Sequence, residues 1–138
     1  MDKNYILLTD MVRGMENGLT LIEKWLRNKN TIEFLGLWES MYNPNFNSLE
    51  FGGIKIQAGN KSFILSVKQW IKKTNSKGLI AKAGRYGGTY AHKDIAFEFA
   101  AWISVEFKLY LIKEFQRLKE NEREELGWDI KRNLSKTK

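Results

Sequence analysis
The chain offers few residues able to do covalent chemistry. There is no cysteine and a single histidine, His92. Thiolate nucleophiles and disulfides are therefore excluded, and most zinc sites with them. His92 is followed by Lys93 and Asp94, neighbours that suit the start of a helix, where it can cap or stack. No G-x-S-x-G segment is present to pair with it as a general base. The sixteen Asp and Glu residues all lie outside the interval Phe51 to Lys93. A metal-dependent nuclease needs carboxylates among its phosphate-binding groups, and in this sequence the two sets are segregated. The glycines between Gly84 and Gly88 do not follow the G-x-x-x-x-G-K-[ST] spacing of a nucleotide phosphate loop. No enzymatic activity, cofactor or metal is expected.

What remains is charge. Between Phe51 and Lys93 stand Lys55, Lys61, Lys68, Lys72, Lys73, Lys77, Lys82, Arg85 and Lys93, so that this interval carries +9 of a net charge of +7 and the rest sums to −2. Ordinary solvated surfaces mix both signs. A run of this length without a carboxylate points to a polyanionic partner, and nucleic acid is the obvious one.

Two elements must position these cations. Gly84, Gly87 and Gly88 surround Arg85 and Tyr86, and three glycines in five positions permit positive φ and a tight reversal. Leu79 to Ala83 and Thr89 to Ala91 then read as the outgoing and returning strands of a hairpin. Arg85 and Tyr86 would stand at its tip with Lys82 and Lys93 nearby; an ordinary glycine turn with solvated side chains is the competing reading. The second element is a polar corner at Asn28 to Asn30 between two helical stretches, Leu19–Arg27 and one capped by Asn30 or Thr31 that Pro44 stops. Arg27, Lys29 and Asn30 would lie at the start of that helix, where side chains and free backbone N–H groups can meet a phosphate.

The remaining pattern supplies scaffold. Asn4–Leu8 reads as a short apolar strand or turn, and Thr9 as the cap of a helix from Asp10 to about Met15. Phe46–Gly59 is rich in glycine and asparagine and reads as a loop with short strands, and Phe63–Leu65 as a further strand. Ser66 with Gln69 three residues on forms a capping box for a helix to about Thr74, with Val67, Trp70 and Ile71 inward and Lys68, Lys72 and Lys73 outward. Ile95, Phe99, Trp102 and Ile103 mark one helix. After Ser104, Phe107, Leu111, Phe115 and Leu118 place an apolar stripe, read as core, on another. Beyond Leu118, Leu126, Ile130 and Leu134 continue a sparse row that suits a self-association helix, the start of a further domain or a fraying tail.

With 138 residues, 43% of them hydrophobic, one core is expected. No apolar run reaches the roughly 18 residues of a membrane span, and the first residues lack a signal peptide's apolar segment, so a cytoplasmic protein is expected.

The segment GRYGGTYAHKDIAFEFAAWISVEFKLYLIKEFQRL, with YILLTDM, WLRNKNTIEFLGLWE and SFILSVKQWI upstream, resembles the KilA-N domain over roughly Tyr5 to Glu120. That family occurs in bacteria, their phages and large DNA viruses, and is related to the fungal APSES DNA-binding domain. The resemblance implies an α+β fold of winged helix-turn-helix type, a small antiparallel sheet with packed helices. Its first helix would lie in Tyr5–Met15, its recognition helix at Thr31–Tyr42 and its wing at Gly84–Tyr90. The segment Asn43 to Gly78 departs from the fungal pattern as a long insert. The expectation is a DNA-binding domain over residues 1–120 followed by a charged helical extension over 121–138, cut short of its natural end. Duplex DNA is the expected partner, together with a homodimer through the C-terminal helix. Two alternatives stay open: a single-stranded DNA or RNA binder stacking bases on Tyr86 and Tyr90, and a protein-interaction and oligomerisation module.

Overall fold
The structure, a computed structural model, describes residues 3–85 and 87–136, with side chains described as far as Ile130 apart from Asp129. In chain order the elements are β1 (Tyr5–Leu7), α1 (Leu8–Met11), α2 (Gly18–Arg27), α3 (Lys29–Tyr42), α4 (Ser48–Gln57), α5 (Val67–Thr74), β2 (Leu79–Lys82), β3 (Gly88–His92), α6 (Lys93–Ile103) and α7 (Val105–Lys136). The fold is α+β, with seven helices and a three-stranded antiparallel sheet among the described residues. The chain divides into two compact units, one ending at Ile103 and one beginning at Ser104.

In the first unit β3 is the central strand. It pairs with β1 in the register Tyr5↔His92, Ile6↔Ala91, Leu7↔Tyr90, and with β2 as Leu79↔Ala91 through Lys82↔Gly88. Strand alternation turns Leu79 and Ala91 to one face, where both are fully buried. The core is completed by Leu8, Trp25, Leu26, Ile32, Leu35, Trp70, Ile95 and Phe99, each with no exposed surface.

Indole groups tie the helices together. Trp25 Nε1 donates to Glu98 Oε2 at 2.7 Å and Trp38 Nε1 to Asp94 Oδ2 at 2.9 Å. Carboxylates at i and i+4 on α6 thus hold one tryptophan from α2 and one from α3. His92 sits beside this junction, its ring 4.9 Å from Trp38 and 5.8 Å from Tyr5, and its Nδ1 accepts the Asp94 N–H at 3.2 Å. It caps α6, as its neighbours in sequence suggested, and meets Tyr5 edge-on and Trp38 at a tilt.

Several expectations are borne out. The hairpin forms with strands close to those anticipated. Ser66 and Gln69 make the capping box of α5, with Ser66 Oγ accepting from Gln69 N at 3.1 Å and Gln69 Oε1 from Ser66 N at 2.9 Å. Ser104 Oγ accepts the Phe107 N–H at the start of α7.

Others are corrected. Thr9 does not cap a helix from Asp10 to Met15; it lies inside α1, and its hydroxyl accepts the Thr89 N–H at 3.2 Å, so it fastens the hairpin root. The third helix begins at Lys29, one or two residues before the caps expected, because Asn28 already takes the extended conformation at the corner. Phe46–Gly59 holds a helix, α4 (Ser48–Gln57), where a loop with short strands was expected. Asn47 Oδ1 accepts the Glu50 N–H at 3.1 Å to start it, and Phe51 lies over Gly36 of α3. A Cβ at Gly36 would come 2.1 Å from Phe51 Cζ, so only glycine admits that crossing. Phe63 and Leu65 are buried but form no strand. The stripe from Phe107 to Leu118 is not core among the described residues: Phe115 and Leu118 are 62% and 52% exposed, and α7 runs through them without a break.

Candidate nucleic-acid interface
The hairpin is built to be held at its root. Gly84 and Gly88 have φ of +100° and +144°, values L side chains rarely adopt. A Cβ at Gly88 would also meet Thr9 Oγ1 at 2.6 Å and Leu7 Cδ1 at 2.9 Å. Gly87 N donates to Gly84 O at 3.0 Å across the tip. Arg85 is exposed there; Tyr86 lies outside the described residues. Lys82 is exposed at the end of β2, with its Nζ 5.7 Å from the centre of the Tyr90 ring. The Tyr90 face that could stack on a base therefore carries a lysine.

Glu39 sets where the hairpin begins. This fully buried carboxylate accepts from Asn43 Nδ2 at 2.9 Å, Ser76 Oγ at 2.6 Å, Lys77 N at 2.8 Å and Gly78 N at 2.8 Å. Four donors around one side chain satisfy both oxygens and fix the turn between α5 and β2 to the last turn of α3. Sequence reading gave Glu39 no such role, because three of its four donors lie 37 to 39 residues away.

That turn delivers α5 alongside β2. Lys68 and Lys72 border a groove of about 360 Å³ whose other wall includes Leu79, Ile80 and Ala81 of β2. Lys68 also borders a second groove, of about 380 Å³, which reaches Lys82, Gly88 and Thr89 at the hairpin root. Lys68, Lys72 and Lys73 are exposed and have no ion pair among the described residues. The capping box and the lysine row were legible in the sequence. Their place beside the hairpin was not read from it, although only the four residues 75–78 separate the two elements, and so short a link keeps neighbours adjacent. Two carboxylates rim this surface, Glu23 in the groove shared by Lys68 and Lys82, and Glu50 beside Lys72 and Lys73.

The other anticipated residues are placed apart. Lys93 starts α6 and donates its backbone N–H to Asn4 O at 2.7 Å. Lys82 faces Gly88, five residues before Lys93, so β3 separates Lys82 from Lys93 by about 16 Å along the strand. Lys93 therefore does not lie near the hairpin tip with Lys82, contrary to the expectation from the sequence. Arg27, Lys29 and Asn30 are exposed at the α2–α3 corner. The Asn28 side chain there turns back to the carbonyls of Lys24 and Trp25 and leaves the start of α3 without a side-chain cap. Lys29 lies near Gly59, whose Cβ would stand 3.5 Å from its own. Neither groove beside the hairpin includes Arg27, Lys29 or Asn30.

The helix expected to read bases is half inside the protein. Thr31, Ile32, Leu35, Gly36, Trp38 and Glu39 of α3 are buried, and its outward residues include Leu37, Ser40, Met41 and Tyr42. No group of three or more His, Cys, Asp or Glu residues that could hold a metal occurs among the described residues, and no described helix is long and apolar enough to cross a membrane.

Comparison with known proteins gives one consistent result. The KilA-N domain family model matches residues 1–121. The protein kilA of Escherichia phage P1 is 42% identical over 55 residues, which is 37% of this chain and 21% of that protein, so the match spans about a fifth of the relative's length. No solved structure matches.

Proposed function
The chain belongs to the KilA-N domain family, and from that premise we propose that it binds duplex DNA, mainly through phosphates, with the β2–β3 hairpin as a wing lying along a groove. The observation that carries this reading is the surface made by α5 and the hairpin. Lys68, Lys72, Lys73, Lys82 and Arg85 are exposed on two adjoining elements drawn from a stretch without a carboxylate. Lysines supply backbone neutralisation, and Arg85 at the tip suits a narrow groove. In this reading α5 replaces α3 as the helix nearest the DNA, and Arg27, Lys29 and Asn30 form a separate phosphate contact at the α2–α3 corner. Lys93 contributes to the field of the domain. The protein is a binding module and not an enzyme, of phage or bacterial type, working in the cytoplasm. Residues 1–120 are its DNA-binding domain and 121–138 a charged extension through which copies self-associate.

The test is fluorescence anisotropy of a labelled random duplex over a salt series. With about five phosphates neutralised, log affinity falls against log salt with a slope of about −4 to −5. The Lys82→Ala, Arg85→Ala double variant binds more weakly and with a shallower slope. A parent that ignores salt, or a variant indistinguishable from it, overturns the wing assignment. Competition with single strands separates duplex binding from base stacking, and loss of all binding at moderate salt with self-association retained would favour the protein-interaction reading.

A further inference from the structure
Among the described residues the second unit holds one helix, α7, 32 residues long and so about 48 Å from end to end. An isolated helix with exposed apolar side chains is marginal in water, and its stability has to come from packing against something. Val105, Ile112, Phe115 and Leu126 are 82%, 45%, 62% and 61% exposed. Together with Lys108, Lys119 and Glu122 they recur at alternating spacings of three and four, the period of a two-stranded coiled-coil seam. Leu109 and Ile130, 55% and 52% exposed, flank the same face.

The charges on that seam select the occupant and its direction. From Val105 to Lys119 the helix carries a net +2, and from Glu120 to Ile130 a net −4. A parallel, in-register pair would set Lys119 against Lys119 and Glu122 against Glu122 in the middle of the seam. Reversing one copy about the point between Glu120 and Asn121 sets Lys119 against Glu122 of the other copy, twice. The same register sets Phe115 against Leu126 and brings Leu109 beside Ile130, and it overlaps α7 along its whole length. A polar pair at the centre of an apolar seam fixes register and orientation.

We infer that α7 pairs with α7 of a second copy as an antiparallel two-stranded coiled coil, locked by reciprocal Lys119–Glu122 contacts. Within one helix these residues already form an exposed i, i+3 pair at 3.3 Å, so the test has to separate the intramolecular pair from the intermolecular one.

Sedimentation of the full chain reads the oligomer. The parent is a dimer, and Lys119→Glu and Glu122→Lys each raise the dimer dissociation constant at least about tenfold. Mixed in equal amounts, the two variants form a heterodimer, although neither contains the internal pair. A monomeric parent, single variants that dimerise as the parent does, or a mixture no better than its components would each overturn the inference.

Orientation is read with a spin label. The chain has no cysteine, so Glu106→Cys carries one label per copy. In the antiparallel register the two labels lie about 29 residues of helical rise apart, roughly 44 Å. A separation within about 20 Å would show parallel helices and overturn it. The readouts do not involve DNA, so they stand or fall apart from the nucleic-acid reading.

Discussion
A buried carboxylate without a cation beside it is costly unless every lone pair finds a donor. Glu39 meets that condition with four donors, two of them the backbone N–H groups of Lys77 and Gly78. Replacing it by leucine leaves both N–H groups without this acceptor, that of Gly78 buried. Losing charge-assisted bonds and stranding their donors costs about 3 kcal/mol or more. Urea unfolding of Glu39→Leu should show that loss, and a change below about 1 kcal/mol would mean that the α5–β2 turn holds itself. A Cβ at Gly78 would lie 2.4 Å from Ile95 Cδ1, so a substitute there requires the fully buried Ile95 side chain to shift.

At the scale of elements, the pair that matters is α5 and the hairpin. Both were legible separately: a capping box with outward lysines, and a glycine-rich reversal. α4 was not, because Gly52 and Gly53 lower helix propensity and Phe51 and Ile54 alone give too short a pattern. Its helical state depends on the Asn47 cap and on Phe51 meeting Gly36 and Trp70 across α3 and α5. The functional consequence belongs to α5. Replacing Lys68, Lys72 and Lys73 together by glutamine should reduce the salt slope of duplex binding by about 2 to 3 units and weaken binding alike for all sequences. The fold should be unaffected, since all three side chains are exposed. An unchanged slope would remove α5 from the interface and return attention to Arg27, Lys29 and Asn30.

At the scale of the molecule, every residue of the hydrophobic core cluster lies between Leu8 and Phe99 with Ile103 packed at its edge. The first unit therefore carries its own stabilising burial, and α7 carries exposed apolar surface. A chain ended after Ile103 should keep its thermal transition within about 5 °C of the parent, since the lost residues add none of the buried core. The same truncation should abolish self-association. A truncated chain that melts far below the parent would show that the helix stabilises the first unit directly.

The sequence by itself determined the classes of chemistry excluded by one histidine and no cysteine, the polyanion-seeking charge, the hairpin, and the helices whose apolar residues repeat over several turns. These are properties of local spacing and composition, and the KilA-N resemblance was carried by the same residues. Only the tertiary structure decided which cations share a surface, that Lys93 and Lys82 lie at opposite ends of β3, that α3 is half buried, and that Thr9 and Glu39 anchor the hairpin. The Thr9 and Glu39 anchors depend on partners 37 to 80 residues distant, and periodicity carries no information about which distant donor will meet a given acceptor.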